Sequence, residues 1–327
     1  MHPTTATARA CPNIAFIKYW GNRDDALRLP ANPSISMNLD GLHAETTVQW
    51  HSEPGPDRLV LNGVPEEGEA LARVSRHLGR MRARLNLPFA ASVQSRNNFP
   101  TGAGIASSAA AFAALTVAAA AAAGAELSER ELTTLARLGS GSASRSVPTG
   151  FVEWHAGDDH DSSYAESIAP PDAWALTDVV GVVSSAHKAV GSTAGHPSAA
   201  TSDLQACRVA GAADRLARCR QALFDHDFAT FAEIVERDSN QMHAVMMTSV
   251  PPLFYWLPQS VLLMEQVRRW RAEGLQVCYT LDAGPNVHCL CETPDADEVA
   301  RRLRSVPGVL DVLTAGPGEG ARVVSVA

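Results

Sequence analysis

Pro100-Thr101-Gly102-Ala103-Gly104-Ile105-Ala106-Ser107-Ser108-Ala109 is the stretch that decides how the chain is read. It follows a strand-like run over 90–96 and opens an alanine-rich run that reaches Ala123 and stops at Gly124. The segment therefore reads as strand, glycine-rich loop, helix. Gly102 and Gly104 let backbone approach a ligand with no Cβ in the way, and the helix start offers free N–H groups with partial positive charge. Ser107 and Ser108 add hydroxyls, and the chemistry that fits is a phosphate. The pattern is neither the Walker loop nor the dinucleotide loop. Glycines that merely permit close helix packing are the competing reading.

Outward from this loop, 13–19, 34–39 and 43–50 read as strands separated by turn-forming clusters, a meander of antiparallel strands. A short strand at 59–61 ends in the hairpin signal Asn62-Gly63, and 69–85 reads as an exposed, arginine-rich helix. A helix over 128–138 begins with the capping box Ser128 to Glu131 and leads into the small-residue loop 139–146. Strands follow at 151–155 and 175–184. After the polar loop 185–202 the chain turns helical, at 204–226, 228–247 and 260–273, with Pro251-Pro252 before the last. Strands at 277–281 and 287–291 flank the turn Asp282 to Asn286; a helix over 296–304 and an edge strand at 320–327 close the chain. The class is α+β.

With 327 residues, 46% of them hydrophobic, the chain can bury a large core. Lys plus Arg number 27 against 35 Asp plus Glu, a net charge of −8, which argues against nucleic acid or an anionic membrane as partner. The apolar run 103–125 is mostly alanine with glycine, serine and threonine, so it reads as a buried helix and not a membrane span. Residues 1–10 lack the apolar run of a secretory signal, so a cytoplasmic location is expected. Six scattered cysteines without a C-x-x-C pair read as reduced, buried residues.

The glycine-rich loop resembles the phosphate loop of the GHMP kinase superfamily. Asn13 to Gly21, Gly141 to Ser146 with Val152-Glu153-Trp154, and Tyr279 to Asn286 are together similar to its mevalonate-diphosphate decarboxylase branch, as are Ser239 to His243 and Pro251 to Tyr255. The likeness runs along nearly the whole chain in order. It implies a two-domain GHMP fold: a domain like ribosomal protein S5 domain 2 over 1–185 and a ferredoxin-like domain over 186–327, with the cleft between them. It implies ATP and Mg²⁺, a homodimer, and a reaction in which the 3-hydroxyl of a phosphorylated mevalonate is phosphorylated before phosphate and carbon dioxide leave.

Asp282, in a Gly/Pro turn, is the candidate to orient or deprotonate that hydroxyl; an Asx-turn residue is the bland reading. Lys18 sits in an apolar strand, where an ammonium is costly unless paired or functional, and it can stabilise charge or pair with Asp282; the bland reading keeps it at a strand edge in water. Arg145 fits the substrate carboxylate with its planar fork. The resemblance further implies Asn13, Tyr19, Ser140 and Ser142 as substrate ligands, and Asn98, Ser107 and Ser108 with Gly102 and Gly104 on the nucleotide side. Ala186 to His196, with Lys188, resembles the family's mobile loop, which implies that Ser192 and Thr193 close over the phosphates. No dense carboxylate cluster points to a metal site. Asp158, Asp159 and Asp161 read as a solvated turn, and the histidines lack metal-ligand spacing.

Two positions depart from the family. Asn22 stands where the diphosphate enzymes usually carry a lysine, and His196 where they carry methionine. Losing a cation beside a diphosphate removes a contact of roughly 1.5–3 kcal/mol. A monophosphate tail misses it less, so the expectation is decarboxylation of mevalonate 5-phosphate to isopentenyl phosphate. The alternative is the mevalonate 5-diphosphate enzyme, with Arg23 or His196 supplying the cation; further off stand a 3-kinase that stops after phosphorylation and a non-catalytic ligand sensor.

Overall fold

A computed structural model describes residues 5–53, 55–99, 106–186 and 190–327. Its strands are β1 (Thr5–Ala10), β2 (Asn13–Ile17), β3 (Asn22–Asp24), β4 (Leu29–Pro30), β5 (Ser34–Asn38), β6 (Ala44–Trp50), β7 (Arg58–Leu61), β8 (Val64–Glu66), β9 (Ala91–Asn97), β10 (Phe151–Trp154), β11 (Ala165–Ala169), β12 (Leu176–Val182), β13 (Val277–Thr280), β14 (Val287–Glu292), β15 (Asp311–Ala315) and β16 (Arg322–Val326). Its helices are α1 (Gly68–Leu85), α2 (Ser107–Ala122), α3 (Glu129–Gly139), α4 (Ser192–Gly195), α5 (Gln205–Ala210), α6 (Ala212–Asp225), α7 (Phe228–Thr248), α8 (Pro258–Ala272) and α9 (Ala296–Ser305).

Among the described residues the main sheets run β16-β1-β6-β9-β7-β8, β11-β10-β5-β2 and β13-β14-β12-β15. The expected single meander is thus divided: β2 and β5 pair with each other, while β6 joins another sheet. The physical reason is β1. Its alanines at 6, 8 and 10 alternate inward, but residues this small give little periodic signal in the sequence. β1 takes the place beside β6. The alanine-rich α2 is buried along most of its length, and its small side chains let it lie close against β1 and β6. Ser128 and Glu131 make the capping box that starts α3.

A boundary at 185/186 does not follow the hydrogen bonding. β12 pairs on both edges within the C-terminal sheet, and β16 crosses back to pair with β1. The expected long helix over 204–226 is two, α5 and α6, meeting at Gly211. α1 is half-buried through His77, Leu78 and Met81, and not simply exposed.

The C-terminal sheet alternates strictly. Val179, Val277, Tyr279, Val287 and Cys289 face α8 and α9, whereas Val180, Cys278 and Leu290 join a core shared with β2, β5, α6 and α7. That shared core joins the two sheets on either side of the cleft. Ending the chain after Gly320 removes β16 and bares the outer edge of β1. A lower urea midpoint with increased light scattering is the expected result; an unchanged midpoint contradicts the topology.

Candidate active site

β2 ends at Ile17, and the next residue is seized by side chains from elsewhere in the chain. The Lys18 N–H donates to Asp238 Oδ2 at 2.6 Å, and its carbonyl accepts from Arg208 at 2.6 Å and Asn32 at 3.0 Å. Asp238, on α7, also accepts from Arg215 Nε at 2.8 Å. The neighbouring Ser239 Oγ accepts from the Leu281 N–H at 3.0 Å. Consecutive α7 residues therefore hold the backbones from which Lys18 and Asp282 project. Lys18 Nζ meets Asp282 Oδ1 at 2.7 Å, with the lysine 1% exposed and the aspartate 25%. This settles the pairing and rules out a lysine head in water.

Burial alone raises the Asp282 carboxyl, but Lys18, then His288 and Arg145, outweigh it and hold it below its ordinary value. Burial lowers the Lys18 ammonium, against the pull of Asp282. His243, also buried, is pushed down to about 3 by burial and by the Lys18 charge, and stays neutral.

The pair opens on a cavity of about 80 Å³ lined also by Tyr19, Ala106, Ser142, Arg145, Ser192 and His196. Arg145 is buried; Nη1 donates to Ser34 Oγ at 2.7 Å and Nε to Asn13 Oδ1 at 3.3 Å, and burial lowers its guanidinium to about 10. Asn13 in turn donates to Ser146 Oγ at 2.8 Å, so it stands behind Arg145 and is not among the cavity-lining residues. The Tyr19 ring packs where any Cβ at Gly141 intrudes to 2.5 Å, which is why that position tolerates only glycine. His196 stacks on Tyr19 at 4.1 Å between ring centroids, and its Nδ1 accepts the Gly21 N–H at 3.0 Å. An imidazole accepting at that nitrogen is not protonated there, so His196 acts as a shaped wedge and not as the missing cation.

Arg23 is also spent elsewhere, on Asp158 at 3.0 Å and on the carbonyls of Gly157 and Pro30. Asn22 accepts from Tyr19 Oη at 2.5 Å and donates to Asp25 Oδ1 at 2.7 Å. Asp159 serves the backbone of 161 and 162, as a solvated turn does.

A second cavity of about 590 Å³ lies on the other side of the α2 start, lined by Ser107, Ser108, Arg73, Phe112, Asn62 and Asn97 among others. Ser108 Oγ lies 3.2 Å from Ser140 Oγ, so a hydroxyl expected on the nucleotide side touches one expected on the substrate side. The helix start thus stands between two cavities. Asn98 bridges Gly41 O and His43 N in a turn, and Thr193 is exposed on α4 without lining either cavity. Gly102, Gly104 and Lys188 lie outside the described residues.

Sequence reasoning missed Asp238, Arg208, Arg28 and Arg73. Burial raises the Tyr19 phenol, which Arg28 on the β3–β4 turn offsets only in part, and Arg73 stands 4.6 Å from the centroid of Phe112 and lines the second cavity with Ser108. The one available signal was an Asp in the apolar stripe of α7. Among the described residues no group of three His, Cys, Asp or Glu side chains could hold a metal ion. None of their helices is long and apolar enough to cross a membrane.

The family model for the diphosphomevalonate decarboxylase-like N-terminal domain matches residues 10–165, and that for the mevalonate 5-diphosphate decarboxylase C-terminal domain matches 179–314. The chain belongs to the diphosphomevalonate decarboxylase family. Diphosphomevalonate decarboxylase of Aspergillus fumigatus is 41% identical, over 93% of this chain and 80% of that protein. Mevalonate diphosphate decarboxylase of Staphylococcus aureus superposes with a TM-score of 0.92 at 34% identity, covering 99% of this chain and 98% of that one. A structure described as MDDEF in complex with MVAPP, AMPPCP and magnesium gives 0.92 and 34%, with 99% of each chain covered. Membership makes the protein an ATP-dependent carboxy-lyase with the two-domain GHMP kinase fold.

Asp282 titrates below its ordinary value, so the pair's contribution to stability is present above the unfolded carboxyl value of about 3.9 and lost as pH falls through the lower folded one. Lys18→Met is expected to cost stability at pH 7, with the cost fading below about pH 4, where a neutral carboxyl needs no cation. Urea unfolding across pH checks this; a cost independent of pH contradicts the pairing.

Proposed function

We propose that this protein decarboxylates a mevalonate 5-phosphate ester in an ATP-dependent reaction, and that its substrate is mevalonate 5-diphosphate, giving isopentenyl diphosphate. The observation that carries the chemistry is the buried Lys18–Asp282 pair opening on a cavity shared with Arg145. The names of the relatives support the diphosphate over the monophosphate that Asn22 led us to expect.

In this mechanism the 3-hydroxyl gives its proton toward Asp282, and its oxygen attacks the γ-phosphorus of ATP, releasing ADP. Lys18 offsets charge on the reacting oxygen. The C3–O bond then breaks, phosphate leaves, and the C–C bonding pair of the carboxylate, held by Arg145, closes the alkene as carbon dioxide departs. A magnesium ion bound with ATP would supply neutralisation of charge on the transferring phosphates; the described residues do not identify side chains that would hold it.

A specific observation favours the monophosphate as second reading: Asn22 is tied to the carboxylate of Asp25, which adds negative charge on the β3–β4 turn. ATP-dependent carbon dioxide release is expected, with the higher kcat/KM on the diphosphate. A preference for the monophosphate turns the assignment to the second reading, and release from neither ester refutes both. Asn22→Lys is expected to raise kcat/KM for the diphosphate about tenfold relative to the monophosphate. Asp282→Asn is expected to lower kcat by about 10²–10⁴-fold; near-normal turnover removes Asp282 from the mechanism.

A further inference from the structure

The face of the C-terminal sheet that meets the shared core is apolar at Val180, Cys278 and Leu290, yet it also carries Asp178 and His288. Asp178 is 0% exposed and His288 1%, and His288 Nδ1 lies 2.7 Å from Asp178 Oδ2. A buried ionic pair in such a setting is seldom worth its desolvation, so it calls for a use. Register shows where it points. His288 on β14 is paired with Thr280 on β13, and Asp282 follows Thr280 by two residues. Asp178 on β12 is paired with Leu290, the residue two beyond His288.

We propose that Asp178 and His288 form a positioning pair whose positive charge lies behind Asp282 and holds that carboxylate ionised and aimed at Lys18. The proposal rests on the catalytic reading of Asp282 given above. Three ion pairs are involved: Asp178–His288, Asp282–Lys18 and Asp238–Arg215, with Asp238 also accepting the Lys18 backbone N–H. The groups that act on His288 are Asp178 from β12, Asp282 beyond β13 and Lys18 beyond β2; α7 contributes Asp238 and the neutral His243 around Lys18, and Arg145 acts on Asp282. Burial works against a charged His288, but Asp178 outweighs it and raises the imidazole above its usual value. Asp178 therefore favours the cationic form of His288, which loses its charge as pH rises through that raised value.

The test is the pH dependence of kcat/KM for wild type, His288→Gln, His288→Lys and Asp178→Asn, with thermal melting and ATP-analogue binding to verify the fold. With the imidazolium gone, the acidic limb is expected to move up by about one pH unit in His288→Gln, and equally in Asp178→Asn, where the imidazole loses its counter-charge. His288→Lys restores a cation and returns the limb toward wild type. A uniform loss of activity with the limb unmoved, or a lysine variant no better than the glutamine one, overturns the proposal in favour of a structural role. The titration of Asp282 is also read directly by carbon-13 NMR of labelled aspartate carboxyls, assigned by Asp282→Asn. That readout needs no turnover, so it separates failure of this proposal from failure of the catalytic reading. An Asp282 that titrates identically in wild type and His288→Gln overturns it.

Discussion

Two adjacent side chains on one helix carry the geometry of the site. Asp238 takes the Lys18 N–H and Ser239 takes the Leu281 N–H, so α7 holds the backbones that carry Lys18 and Asp282, 264 residues apart in the chain, at the separation an ion pair needs. Asp238 can do this because Arg215 neutralises its second oxygen, and Arg208 with Asn32 closes the other side of Lys18. A buried lysine is tolerable only when such a shell is complete. The shell in turn requires that α7 pack on both the β2 sheet and the C-terminal sheet, which the shared apolar core secures.

From that constraint the division of labour follows. Ala106 lines one cavity and Ser107 and Ser108 the other, so the two flank the start of α2, where Ser108 also touches Ser140. A helix N-terminus carries partial positive charge that favours a phosphate placed beside it. Small residues make this arrangement possible: the run of alanines brings α2 against its sheet, and Gly141 leaves room for Tyr19. The chain carries net negative charge overall, yet Lys18 and Arg145 line one of these cavities and Arg73 the other.

The sequence made legible the elements whose signals are local. The capping box of α3, the buried alanine helix and the turn at Asp282 rest on residue type within a short window, whereas the Lys18–Asp282 pairing was implied by the resemblance to the family. Long-range relations were not legible. β1 consists of small residues with little pattern, and the return of β16 to it depends on pairing across the whole chain. Asp178 and His288 sit in strands that otherwise read as apolar, and nothing local distinguishes a buried charge pair from two isolated polar residues. Asn22 was legible as a missing cation, but its ties to Tyr19 and Asp25 were not.

The most direct measurement is a crystal structure of Asp238→Asn. An amide offers one acceptor oxygen where the carboxylate offers two, so it cannot serve both the Lys18 N–H and Arg215. The account predicts that the Lys18 Nζ to Asp282 Oδ1 separation, 2.7 Å in the native chain, opens beyond hydrogen-bonding distance as Lys18 loses its anchor. An ion pair that keeps its native length in that variant contradicts the claim that α7 sets the site.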